Sequence, residues 1–175
     1  MTTRTSRRLA LPLLAVALVA LGCGAAERPD AGAGKPLFRP ATHLPRADAT
    51  IRRLDPDLRA ALTRATYDAR AEGVTLVVNS GWRSRAHQQR LFDEAVAKYG
   101  SEAEARRYVS TPDGSAHVTG DAIDIGPTDA ADWLSRHGSA YGLCQMFANE
   151  IWHYELATTP GGECPEMLPD SSYRG

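Results

Sequence analysis

The chain has 175 residues, 43% of them hydrophobic and 23% charged, with a formal net charge of −1. That length suits one domain with a proper core and does not comfortably fit two. With balanced charge and no basic block in its body, it lacks the electrostatic footprint of a nucleic-acid binder.

The amino terminus reads as a targeting segment. Arg4, Arg7 and Arg8 form a positive region, and residues 9–21 are an apolar run broken only by Pro12. The run is too short to span a bilayer comfortably and has the length of a signal-peptide core. The Arg7-Arg8 pair hints at twin-arginine export, but Ala10 stands where that signal prefers an aromatic, which favours ordinary secretion. The run closes as Ala20-Leu21-Gly22-Cys23, which resembles a bacterial lipoprotein box in which the cysteine is lipidated. The alternative is cleavage near Ala25-Ala26 and free secretion. The expected organisation is a signal peptide over 1–23, a flexible Gly/Ala/Pro-rich linker over 24–45 and a single domain over 46–175. The expected location is the cell envelope, with the chain anchored to the membrane through Cys23 or otherwise secreted.

Asp55-Pro56 opens a helix as cap and first residue, Leu58, Leu62, Ala65 and Ala69 follow at helical spacing, and Gly73 closes it. The β-branched run 74–78 predicts a buried strand, broken by Asn79-Ser80-Gly81. A second helix over 86–99 has Leu91, Phe92, Ala95 and Val96 on one side and stops at Gly100. A short helix over 102–109 and a loop over 110–120 follow. Residues 122–125 read as strand ended by Pro127, 128–137 as a helix stopped by Gly138, and 141–147 and 151–156 as extended pieces. The pattern is α+β: one domain with a small, mainly antiparallel sheet flanked by helices.

Two stretches carry chemistry, Ser115-Ala-His-Val-Thr-Gly-Asp-Ala-Ile-Asp124 and Asn149-Glu-Ile-Trp-His-Tyr154. A hydrolytic zinc centre needs three protein ligands, an open position for water and a base. His117, Asp124 and His153 can be the ligands and Glu150 the base. His43, His87 and His137 read as surface or hydrogen-bonded histidines, and His137 suits the last turn of its helix. Gly120 and Ala122 let the backbone pass close to a metal. Strand alternation puts Ala122 and Asp124 on one face with Ile123 and Ile125 toward the core, and Asp121 opposite Asp124. A carboxylate buried there needs a cation or several donors. Glu150 and His153 are three apart, so Glu150 is expected at a turn or bulge where the strand begins. His-Glu-x-x-His, Ser-x-x-Lys and Gly-x-Ser-x-Gly are absent. With Cys23 lipidated, Cys144 and Cys164 remain as an even pair ready for a disulfide in an oxidising compartment. A Cys144 thiol working with His153 is the alternative that export disfavours.

Three blocks, Ser80-Gly-Trp-Arg-Ser84, Ser115-x-His-x-x-Gly-x-Ala-x-Asp124 and Glu150-x-Trp-His153, resemble the zinc D-alanyl-D-alanine carboxypeptidases of the VanY type, in the family's order. The resemblance covers residues 48–157 and extends to dipeptidases and endopeptidases of the same hedgehog/DD-peptidase-like fold. It implies one Zn2+ per chain on His117, Asp124 and His153, with Glu150 as catalytic base and Arg83 stabilising the developing oxyanion. It also implies that Gln88 and Ser115 contact the substrate's terminal carboxylate or amide and that Trp152 walls the pocket. The implied partners are peptidoglycan stem peptides, and the chain is expected to be a monomer. Ile151 stands where the family commonly has proline, and Tyr141-Gly142 is followed closely by Glu150 where members carry an arginine-containing strand and a hairpin. A peptidoglycan endopeptidase and a non-catalytic zinc-containing peptidoglycan-binding domain are the alternatives. A structural zinc site would fill all four positions with protein ligands, and only three are evident.

Overall fold

The structure, a computed structural model, describes residues 45–174, with side chains from residue 49 onward. The expected signal peptide, Cys23, His43 and all but the end of the expected linker lie outside the described residues.

A first helix, α1 (Pro45–Arg52), was not anticipated from the sequence; α2 (Pro56–Ala71) follows it. Asp55 caps α2 by accepting from the Asp57 and Leu58 backbone N–H groups at 2.8 and 3.1 Å. The buried stripe of α2 is Leu58, Ala61, Leu62, Ala65 and Ala69, the four spaced residues of the sequence pattern plus one. Strand β1 is Val77–Ser80, displaced toward the carboxyl end of the expected 74–78 run. The displacement has two causes. The Val74 N–H closes the end of α2 on the Ala69 carbonyl at 2.8 Å, and Ser80 is drawn into the sheet opposite Asp124 across a register irregularity.

Helix α3 (Arg85–Tyr99) is capped by Ser84 and ends at Gly100 in the left-handed region, as its pattern predicts. The next helix, α4 (Glu102–Ala105), is shorter than the expected 102–109 segment. Within the expected loop a single turn, α5 (Ala116–Thr119), forms and carries His117. Strand β2 (Ala122–Gly126), α6 (Thr128–His137), a 3-10 turn (Gly138–Tyr141), β3 (Leu143–Gln145) and β4 (His153–Leu156) follow. A 3-10 turn (Ser171–Tyr173) closes the described chain.

The four strands pair antiparallel in the order β1-β2-β4-β3. Ile123 lies opposite Tyr154, and Asp124 opposite His153. Strand alternation therefore sends Ile123, Ile125 and Tyr154 to one face, where they pack with Leu58, Leu62, Trp133 and Leu134 of α2 and α6. Each fully buried aliphatic or aromatic side chain there contributes about 1.5–3 kcal/mol. Asp124, His153 and Glu155 lie on the opposite face, and the hydrophobic face fixes their register: a one-residue slip would exchange the two sets.

Gly120 ends α5 at φ 91°, and a Cβ at that position would come within 2.5 Å of the Arg53 carbonyl. Its own carbonyl accepts from the Asp55 N–H at 2.9 Å, tying the His117 turn to the start of α2. Gly120→Ala is expected to destabilise the fold by about 1–3 kcal/mol, read as a lowered urea midpoint.

Candidate active site

His117 is presented by α5, Asp124 by the middle of β2 and His153 by the first residue of β4. All three are buried, and their ligand atoms lie within 4.8 Å of one another. His117 Nε2 is 3.2 Å and His153 Nδ1 is 3.1 Å from Asp124 Oδ1. Two donors held about 2.1 Å from a tetrahedral zinc would be separated by about 3.4 Å. The donor set and its spacing thus fit zinc.

The far side of each imidazole is also held. His117 Nδ1 donates to the Gly81 carbonyl at 2.8 Å, and a carbonyl can only accept, so the Nε2 lone pair is left facing Asp124. His153 Nε2 pairs with Glu155 Oε1 at 2.9 Å. Partners of this kind set the tautomer and orientation of metal-binding histidines. Burial lowers the His117 pKa and outweighs the pull of Asp124. Burial also works against a charged His153, but hydrogen bonds to Asp124 and Glu155 win and push its pKa up to about 9. Burial alone would raise the Asp124 pKa, yet the two histidines beside it hold it well below the usual carboxylate range.

Glu150 sits in the tight turn before β4, where the His153 N–H donates to the Glu150 carbonyl at 3.1 Å. The turn expected from the three-residue spacing is present. The Glu150 carboxylate reaches within 4.0 Å of His153 Nδ1, on the ligand side of that ring. Burial, assisted by the Asp124 charge, raises its pKa above the ordinary glutamate value although His153 and Arg83 oppose the shift.

Arg83 follows β1, and its guanidinium is pinned at three points: Ser80 Oγ at 2.8 Å, Gln88 Oε1 at 3.2 Å and Asp124 Oδ2 at 2.6 Å. A guanidinium has five N–H donors, so others remain to meet a group in the cleft. Gln88 is buried in α3 and engaged at both ends, since its Nε2 donates to the Ser110 carbonyl at 2.9 Å. It therefore supports Arg83 besides lining the cleft. Ser115 is buried at the start of α5, and Trp152 is exposed at the rim; both line the same cleft, with Arg83, Gln88 and Glu150. The cleft has a volume of about 210 Å3. His87 is on the surface beside Arg90, and His137 stacks on Trp133, so neither joins the cluster.

Cys144 and Cys164 form a disulfide. With its sulfur so occupied, Cys144 is no thiol nucleophile. Glu155, Phe147 and Arg174 also line the cleft and were missed in the sequence. Glu155 carried a usable signal, because a residue two positions after a ligand on a strand shares its face. Arg174 carried none.

A family model described as VanY, D-alanyl-D-alanine carboxypeptidase, matches residues 51–159. A curated D-alanyl-D-alanine carboxypeptidase of Enterococcus faecalis is 32% identical over 111 residues, which cover 49% of this chain and 41% of that relative. The chain thus spans well under half the length of that relative. Among solved structures, a mutant of the vancomycin resistance D,D-pentapeptidase VanY in complex with Zn(II) is similar at TM-score 0.55 and 28% identity, covering 62% of this chain and 73% of that one. VanYB in complex with D-alanine-D-alanine is similar at TM-score 0.55 and 28% identity, covering 58% and 70%. The family match runs from the end of α1 past β4, well over half of the sequence, and the chain belongs to the VanY family of D-alanyl-D-alanine carboxypeptidases.

Proposed function

We propose that the protein is a zinc-dependent D-alanyl-D-alanine carboxypeptidase acting on the stem peptides of bacterial peptidoglycan. In this reading it is exported and held at the cell envelope through Cys23, and each chain carries one zinc on His117, Asp124 and His153. The observation that carries the reading is the convergence of those three ligand atoms at a cleft where Glu150 stands 4.0 Å from His153 Nδ1. The cleft's size also supports it. A volume of about 210 Å3 lies below the roughly 300–1,000 Å3 of sites that take drug-sized ligands, and it suits the small end of a peptide.

Held by His117, Asp124 and His153, a zinc ion would supply Lewis acidity, acidifying a water and polarising the scissile carbonyl. Glu150 accepts the water's proton and returns it to the departing amine. Arg83 offers its remaining N–H groups to the carbonyl oxygen as charge develops. Ser115 and Trp152 shape the wall against which the terminal residue lies. Purified protein incubated with a pentapeptide-bearing muropeptide is expected to release free D-alanine, to stop when zinc is chelated and to resume when zinc returns. Product masses from a cross-bridge or internal cut would show an endopeptidase instead.

Zinc uptake has a calculable pH dependence. In the zinc-free protein His153 holds a proton up to about pH 9, whereas the lowered pKa of His117 keeps that ring neutral at pH 7. One proton must therefore leave His153 when the ion enters. Apparent affinity is expected to rise by about tenfold per pH unit below the His153 pKa and to level above it. Calorimetry at pH 7 in buffers of different ionisation enthalpy should count one proton released; a count of zero would refute the assignment of His153.

A further inference from the structure

The matched family segment ends at residue 159, yet the chain beyond it returns to the active site. Several ties bring it back. The Cys144–Cys164 disulfide fixes its start to β3. Leu168 pairs in parallel with Phe147, its N–H donating to the Met146 carbonyl at 2.9 Å and its carbonyl accepting from Ala148 at 2.8 Å. Asp170 accepts from Arg107 at 3.3 Å, and Ser171 Oγ donates to the Arg106 carbonyl at 2.6 Å. The segment so tied delivers Arg174 to the cleft.

Arg174 meets both supports of the His153 ring. Its Nη1 donates to Glu155 Oε1, the oxygen that also pairs with His153 Nε2. Its guanidinium lies 5.2 Å over the Phe147 ring, and Phe147 in turn stands 5.2 Å from the His153 ring. Glu155 and Phe147 come from separate parts of the chain, and Arg174 touches them both. A free Glu155 carboxylate would have other rotamers open to it, and a guanidinium stacked on a ring offers it one fixed donor.

We propose that residues 160–174 are part of the active-site apparatus and that Arg174 is a positioning residue, holding Glu155 and Phe147 so that His153 presents Nδ1 to the metal. The proposal rests on the zinc reading above. Outer partners of metal-binding histidines typically carry 10–100-fold in metal affinity. Arg174 acts one contact further out, so the lower end of that range is expected.

The test uses the full chain and measures zinc affinity by chelator competition, with the thermal midpoint of the zinc-free protein as control. Arg174→Ala is expected to weaken zinc binding about tenfold, and Arg174→Lys to recover part of that loss by keeping a cation beside Glu155. Glu155→Gln is expected to weaken binding at least as much. Adding Arg174→Ala to Glu155→Gln should then cost little more, because the arginine acts largely through that carboxylate. Zinc affinity within twofold of wild type in Arg174→Ala overturns the proposal alone. So does a fully additive double variant, or a loss matched by a fall in the zinc-free midpoint with no rescue by lysine. A wild-type chain that takes up no zinc overturns the zinc reading and this proposal together.

Discussion

Replacing Glu150 by glutamine or alanine is expected to abolish most hydrolysis while leaving zinc in place. A positioned general base contributes roughly 10²–10⁴-fold, so kcat should fall by about that factor. The carboxylate lies 4.0 Å from His153 Nδ1 and is not one of the three converging ligands, so metal content should be unchanged. The raised Glu150 pKa adds a second expectation. A carboxylate whose pKa is higher folded than unfolded costs the fold stability as pH rises, and glutamine removes that titrating group. The zinc-free thermal midpoint of Glu150→Gln at pH 7 should therefore not fall. Elemental analysis, D-alanine release and a melting curve on the same preparation check all three. Zinc lost along with activity would mean that Glu150 is a ligand and not a base.

Arg83→Ala is expected to lower kcat by about 10²–10³-fold, the factor for losing one donor at a developing oxyanion, or about 2.7–4 kcal/mol in the barrier. The same change strips Asp124 Oδ2 of its 2.6 Å partner and leaves Gln88 Oε1 without Arg83. Zinc affinity should consequently fall as well, by about tenfold. Arg83→Lys separates the two effects. An ammonium can still neutralise Asp124 but cannot span Ser80, Gln88, Asp124 and a substrate oxygen together. Lysine should thus restore metal binding more than turnover. Steady-state kinetics at saturating zinc, with affinity measured in parallel, distinguishes the roles. A kcat within threefold of wild type in Arg83→Ala would remove Arg83 from the chemistry.

The parts of the site legible in the sequence were those with a local period. Alternation in β2 put Asp124 between two core isoleucines and opposite in sense to Asp121, and the sheet pairs it with His153 as that face requires. The three-residue step from Glu150 to His153 implied a turn, and the backbone makes one. The cap at Asp55, the buried stripe of α2 and the stop at Gly100 were likewise visible, because each depends on neighbours within a few residues.

Other features depend on contacts between distant segments. Ser80 reads as a turn residue but joins β1, because pairing opposite Asp124 satisfies its backbone. Trp152 allowed a core or a wall position, and only the direction of the turn put it at the rim. The sequence by itself determined the ligand types, the base and the sheet face they share, since hydrophobic alternation forces polar residues of one strand to a common side. The tertiary structure alone decided what holds those ligands in place. Gly81, Glu155, Phe147 and Arg174 come from segments whose meeting depends on how β1 and β3 flank the central strands and on a disulfide that returns the chain's end to the sheet.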